Sequence, residues 1–127
     1  MLSQKQKRKS LVLIRKYELP QKKICADYGA IYFPTPKDGI IGISSQAKKG
    51  EEPIHGLRHP SVKGTTGWYI WSGEYSDDPN FFEPIHVRHL EEFSSNIIKY
   101  LGLPPGWRFL KAEGYEDVWY DNELLKI

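Results

Sequence analysis

Cysteine is nearly absent from this chain: Cys25 is the only one among 127 residues. A single thiol excludes an intrachain disulfide and a cysteine-built zinc knot, and it fits a reducing, cytoplasmic setting. Long apolar runs are missing as well. The longest aliphatic run near the N-terminus, Leu11 to Ile14, is closed by Arg15 and Lys16. It is shorter than the ~7–15 residues of a signal-peptide core and far from the roughly 18 of a membrane-spanning helix. No Gly-x-Ser-x-Gly elbow, phosphate-cradling glycine loop or dinucleotide fingerprint occurs, so common signatures of hydrolases and nucleotide enzymes are lacking. No repeat or low-complexity tract is found. With 39% hydrophobic and 27% charged residues, the chain reads as one soluble globular domain.

What is present is unevenly distributed. The net charge of +2 conceals a split: residues 1–50 carry 11 Lys and Arg against 3 Asp and Glu, whereas residues 51–127 carry 7 against 13. The first part is thus +8 and the second −6. All four Trp, five of eight Tyr and four of five Phe lie between Trp68 and Tyr120. A basic first part joins an acidic, aromatic-rich second part, a pattern that bears on partners rather than on fold.

Residues 1–18 form a basic N-terminal segment. Its first ten residues read as a solvated terminus; Leu11 to Leu19 suits a helix with Leu11, Ile14 and Tyr17 or Glu18 on one face or a buried strand, and the helix is favoured because good helix formers precede it. Pro20 then opens a second helix through Ile24 and Tyr28, with Gly29 as its left-handed cap. Ala30 to Phe33 is short and β-prone. Gly39–Ser44 reads as a strand, Gln46–Pro53 as a charged loop and Gly56–Thr66 as an ordered loop. Gly67–Glu74 is the strongest strand signal, with Trp68 and Ile70 on one face and Tyr69 and Trp71 on the other. Tyr75–Asn80 reads as a turn. His86–Leu101 has apolar residues at helical spacing and reads as the longest helix, ended by Gly102 and Pro104–Pro105. Trp107–Ala112 and Tyr115–Tyr120 read as two strands paired through Glu113–Gly114. The fold class predicted is α+β, a single domain over residues 19–127. An antiparallel β-sheet packs against one long helix and shorter N-terminal helices.

Each candidate constellation has a plainer reading. His55, His59, His86 and His89, with Glu83 nearby, offer transition-metal ligand types, but their spacing matches no zinc signature, so no metal is assigned. Cys25 lies near Lys22 and Lys23, which would favour its thiolate; a buried small hydrophobe is the plainer assignment. Asp77–Asp78 and Glu116–Asp117 are acid pairs of the kind hydrolases use, yet adjacent acids in a turn and a strand usually face water. No catalytic residue or cofactor is assigned. The aromatics alternate with Glu and Asp, which argues against nucleic-acid binding. What these residues suit is a protein interface, since Trp, Tyr and Arg dominate hot spots and carboxylates steer a basic partner. The candidates are Trp71, Glu74, Tyr75, Asp77, Asp78, Glu116, Asp117 and Tyr120. Trp68, Ile70, Phe93, Phe109 and Val118 read as core.

Five blocks occur in order: Gly56-Leu-Arg-His-Pro60, Gly67-Trp-Tyr-Ile-Trp-Ser-Gly-Glu74, Phe81 to Leu90, Tyr100-Leu-Gly-Leu-Pro-Pro-Gly106 and Tyr115-Glu-Asp-Val-Trp-Tyr-Asp121. Over about Leu19 to Leu125 the chain resembles the bacterial immunity protein 33 family, long catalogued as a domain of unknown function. The resemblance implies a cytoplasmic immunity protein that neutralises a cognate toxin of a polymorphic toxin system by binding it. A small hydrolase or metal-dependent enzyme built on the histidines is the alternative. Arg58, His59, Trp68, His86, His89 and Trp119 belong to the matching blocks, together with Trp71, Glu74, Asp117 and Tyr120, in structural or functional roles. An Arg58 buried against Glu74 or Asp117 is one structural expectation. The partner expected is a protein toxin, of which a basic nuclease domain is one kind; no membrane is expected.

Overall fold

The structure, a computed structural model, describes residues 4–126, with side-chain surroundings from residue 16 onward. The expectations for the first ten side chains, and for the face shared by Leu11 and Ile14, lie outside the described side chains. Helix α1 (Gln4–Tyr28) leads into β1 (Ile40–Ser44), the short helix α2 (Ser45–Lys48), β2 (Ile54–Arg58), β3 (Thr65–Ser72) and β4 (Phe82–His86). After β4 come a 3-10 turn over Val87–His89, helix α3 (Leu90–Phe93) and a second 3-10 stretch over Ser95–Tyr100. The hairpin β5 (Trp107–Ala112) and β6 (Tyr115–Tyr120) and a closing turn over Asn122–Leu125 complete the chain.

The six strands form one sheet in the order β4-β1-β3-β2-β5-β6. β1 runs parallel to β3 and every other pairing is antiparallel, so the sheet is mixed rather than antiparallel. Two strands, β2 and β4, form where a loop and the approach to a helix were expected. In β2 the weak-strand residue Gly56 is covered by the Phe109 ring of the neighbouring strand, which supplies the packing that glycine itself lacks.

The long helix over His86–Leu101 is not formed. His86 ends β4, and the next amides extend the sheet side: Val87 N donates to Gly39 O at 3.0 Å and Arg88 N to Lys37 O at 3.1 Å. Ser94 then leaves the helical region (φ −148°, ψ 48°) and its hydroxyl donates to Ala47 O at 3.0 Å. The apolar spacing still does its job, since Val87, Leu90, Ile97 and Leu101 are all buried. Short helical turns satisfy that spacing as well as one long helix does.

The N-terminal part departs in the opposite sense. α1 runs through Pro20 without a second start. Pro20 removes the amide that would bond the Lys16 carbonyl, and both residues are exposed. Tyr17, Ile24, Cys25 and Tyr28 pack on the core from both sides of it. Gly29 (φ +76°) closes the helix as expected, and Ala30 N reaches back to Cys25 O at 2.8 Å in a Schellman arrangement. Residues 30–33 form no strand; Phe33 N donates instead to Gly102 O at 2.8 Å.

One core results. Ile41, Ile43, Trp68, Ile70, Phe109 and Val118 on one face of the sheet meet Ile24, Leu90, Ile97, Tyr100 and Leu101 from the helical layer. Of the core residues expected, only Phe93 is partly buried rather than fully buried. Among the described residues α1, α2 and α3 place their buried residues in this core and leave the opposite face of the sheet uncovered, and the closing turn meets that face at one end, with Leu124 O 2.9 Å from His59 Nδ1 and the His59 ring 5.7 Å from Tyr69.

Candidate functional site: the uncovered sheet face

Strand register decides which side chains line that face, because alternate residues point to opposite sides. Trp71 lies opposite His55, and His55 opposite Leu110; Tyr69 lies opposite Leu57, and Leu57 opposite Arg108. Across β6 these rows continue to Asp117 and Trp119, and across β1 they continue through Gly42 to β4, with Phe82 and Pro84. At Gly42 a side chain would meet the Tyr69 ring at 3.0 Å and Phe82 Cβ at 3.3 Å, so the glycine leaves room over β1 for Tyr69 and Phe82 to meet.

The rings form a continuous cluster. Trp71 stacks on His55 with centroids 5.1 Å apart, and its edge meets Tyr75 at 5.6 Å. Tyr69 and Phe82 meet at 5.2 Å, Phe81 and Phe82 at 4.9 Å, and Tyr75 and Phe81 at 5.8 Å. Trp71 is thereby buried, whereas Tyr69 and Tyr75 are 38% and 60% exposed. Further along the face the Arg108 guanidinium lies 5.6 Å from the Trp119 ring centre and donates to Asp121 at 3.2 Å, while its buried Nε has no partner. Burial, with the charge of Arg108 adding to it, holds His55 below the usual imidazole range, so the ring on Trp71 is neutral at physiological pH.

The structure divides the sequence-derived interface candidates. Trp71 and Tyr75 belong to the aromatic cluster; Glu74, Asp77 and Asp78 are exposed on the loop that follows β3, and Asp117 is exposed on β6. Among the described residues none of these four carboxylates makes an ion pair. Glu116 and Tyr120 fall on the other side of the sheet. Burial alone would raise the Glu116 carboxyl. Hydrogen bonds from Tyr100 (2.6 Å) and Tyr28 (3.0 Å), with Lys99 at 3.3 Å, outweigh that effect and hold it below its ordinary value. Tyr120 packs on Trp107 and lies over Gly106.

The matching-block residues sort in the same way. Arg58 is 2% exposed and meets neither Glu74 nor Asp117, which corrects the expected ion pair. Its register partner is Trp68, on the core face, and both carboxylates lie elsewhere. Its guanidinium instead donates to the carbonyls of Thr66 (3.0 Å), Phe33 (3.0 Å) and Leu103 (2.8 Å), between the rings of Phe33 and Trp68. Trp68 Nε1 donates to Thr35 Oγ1 at 3.0 Å. His59 Nδ1 is 2.9 Å from Leu124 O, which can only accept, so that nitrogen carries the proton. Cys25 is buried with its thiol 3.3 Å from Gly102 O, and burial pushes the thiol up in pKa. The lysines beside it do not activate it.

The four histidines do not converge. His55 is on Trp71 and His59 on Leu124, and only His86 and His89 are neighbours, with ring centres 6.1 Å apart. Among the described residues no group of three or more His, Cys, Asp or Glu is placed to hold a metal ion. No described helix is long and apolar enough to cross a membrane. The face members missed from the sequence are His55, Leu57, Phe82 and Arg108. Alternation in Phe82, Pro84 and His86, and in His55 and Leu57, was the available signal; Gly56 and Pro84 masked it by lowering strand propensity.

No curated protein and no solved structure matches the chain significantly. A family model described as the Imm33-like domain matches residues 20–121, a span that holds all six strands and ends just past β6. On that match the chain belongs to the Imm33-like domain family.

Proposed function

We propose that this chain is an immunity protein that neutralises a cognate toxin domain by occupying it, without chemistry of its own, and that the uncovered sheet face is where the toxin docks. One observation carries this reading: a family member of this kind presents a sheet face lined by partly exposed aromatics and arginine, with unpaired carboxylates at its margin. Tyr69, Tyr75, Trp119 and Arg108 are of the residue types that anchor interfaces. Glu74, Asp77, Asp78 and Asp117 would draw in a basic partner and exclude an acidic one. A toxin that acts on a phosphate backbone needs a positive cleft, so a nuclease domain suits this face. Six strands at about 4.8 Å spacing make the face roughly 29 Å wide. With the 73–81 loop it offers an area of the order of the ~800 Å² that each partner contributes to a standard complex.

The test is growth rescue. Cells producing the toxin domain encoded beside this gene should survive when the chain is co-expressed. A Tyr69→Ala/Trp119→Ala variant with an unchanged circular dichroism spectrum should fail to rescue, since one lost anchor costs ~2 kcal/mol, about 30-fold in affinity. Equal rescue by that variant would sink the docking face, and failure of the wild-type chain to bind the neighbouring gene product would sink the immunity reading.

A further inference from the structure

The two edges of the sheet differ in a way that backbone geometry decides. In an antiparallel ladder, residue pairs alternate between exchanging hydrogen bonds and turning their backbone groups away. Val87 N donates to Gly39 O at 3.0 Å, one step beyond the Ile40–His86 pair. Counting back in twos, Ile85 and Glu83 bond inward to β1, and His86, Pro84 and Phe82 turn their backbones outward. Pro84 has no N–H to offer, so the β4 edge lacks its central donor, a usual guard against strand addition. At the other edge Asp121 N donates to Gly106 O at 2.7 Å, one step beyond the Trp107–Tyr120 pair. Trp119, Asp117 and Tyr115 therefore bond inward to β5, and Glu116, Val118 and Tyr120 present their N–H and C=O groups outward. Among the described residues none of those outward groups has a backbone partner beyond the sheet. β6 pairs with β5 over six consecutive residues without a bulge and contains no proline.

Charge says what would pair there. Residues 113–125 hold five carboxylates, Glu113, Glu116, Asp117, Asp121 and Glu123, and no Lys or Arg. Lys99, Arg108 and Lys126 neutralise three of them from elsewhere, leaving Glu113 and Asp117 without ion-pair partners among the described residues. We infer that β6 accepts an extended basic segment of the toxin partner as a seventh strand, alternate residues of which lie beside Tyr115, Asp117 and Trp119 on the uncovered face. Main-chain bonds to Glu116, Val118 and Tyr120 supply affinity, and the Asp117–Trp119 row selects a cation next to an apolar or planar group. This deepens the toxin-binding reading and rests on it. A second copy of the chain fits less well, because β6 beside β6 brings together two acidic segments, residues 113–125 of each copy, neither of which holds a Lys or Arg.

The experiment uses the intact chain and a capped peptide of about nine residues in which Lys or Arg alternates with Val, with amide exchange followed by NMR. In the free chain the amides of Asp117 and Trp119 should be protected and those of Glu116, Val118 and Tyr120 should exchange freely. At saturating peptide the last three should slow by at least about tenfold, those of Phe82 and His86 should not change, and a fully N-methylated peptide of the same sequence should have no effect. Equal effect from the N-methylated peptide would show attraction by charge alone and overturn the proposal. So would protection at β4, absence of protection at β6, or concentration-dependent protection of β6 without peptide, which would make a second copy the occupant. The peptide reports on the edge and growth rescue on neutralisation, so failure of one is distinguishable from failure of the other.

Discussion

Arg58 is a cation in the core whose neighbours are carbonyl oxygens rather than a carboxylate. Burial lowers its pKa to about 10, so it is charged at neutral pH. A guanidinium can satisfy three carbonyls from separate segments at once, because its donors are fixed in a fork. Here those segments are the stretch after α1, β3 and the turn before β5, a structural role that accounts for an arginine in the Gly-Leu-Arg-His-Pro block. Glu116 is its counterpart on the helical side, joining α1 through Tyr28, the 3-10 stretch through Lys99 and Tyr100, and the sheet through its own strand. Because its folded pKa is depressed, its contribution is present in full above the unfolded carboxylate value, about 4.3, and is lost as pH falls through the folded value. Glu116→Gln should therefore lower stability by about 1 kcal/mol at pH 7. The gap in Tm between variant and wild type should close as pH is taken below 4. A gap that stays constant down to pH 3 would show that the carboxylate charge plays no part in this latch.

At the scale of elements, the β2–β5 pair depends on a residue with no side chain. A Cβ at Gly56 would lie 2.0 Å from Phe109 Cε2 and 2.5 Å from its Cζ. That ring cannot withdraw, because it is stacked on Tyr100 at 4.2 Å and lies against Trp68 at 5.9 Å. Gly56→Ala should cost about 3 kcal/mol by overpacking, seen as a fall in Tm of about 10 °C. Added to Phe109→Leu it should cost less than the sum of the two single changes, since leucine has no ring edge at that point; strict additivity would contradict the contact. The same pair shows what could be read from sequence and what could not. β3, β5 and β6 were legible because Trp68 to Trp71, Trp107 to Ala112 and Tyr115 to Tyr120 carry their own alternation. β2 was not, because Gly56 owes its strand conformation to a ring 53 positions away in sequence. The 86–101 segment was half legible: Val87, Leu90, Ile97 and Leu101 are buried and Phe93 partly so, but Ser94, whose hydroxyl bonds the Ala47 carbonyl as it leaves the helix, is a tertiary event that local spacing does not encode. For the candidate site, Trp71, Tyr75 and the acidic loop could be read from composition. Which of Glu116 and Asp117 shares the face with Trp71, and that Phe82 and Arg108 join it, follows only from register.

For the whole molecule, the charge split gains a direction in space. The basic part supplies α1, whose Lys22 and Lys23 are exposed and paired with Glu18 and Asp27 within the helix. The acidic part supplies the margins of the uncovered face, at the loop bearing Glu74, Asp77 and Asp78 and at β6. A partner approaching the face meets carboxylates, whereas Lys22 and Lys23 belong to the helix that packs on the far side of the sheet. Exposed charges of this kind act on encounter more than on the stability of the formed complex, and their reach is a Debye length, about 10 Å at 0.1 M salt. Association of the purified toxin domain should therefore slow by at least about tenfold between low and physiological salt, with dissociation changing much less. Reversal of Asp77, Asp78 and Asp117 together to Lys should abolish most of that salt dependence, whereas any one reversal should shift affinity by no more than about 1 kcal/mol. Trp119→Ala should do the opposite, speeding dissociation and leaving the salt slope intact. Stopped-flow association over a salt series, with surface-immobilised toxin for the slow dissociation, separates the two effects. An association rate indifferent to salt, or a partner with a neutral or acidic surface, would remove the electrostatic part of the docking proposal and leave the aromatic face to stand alone.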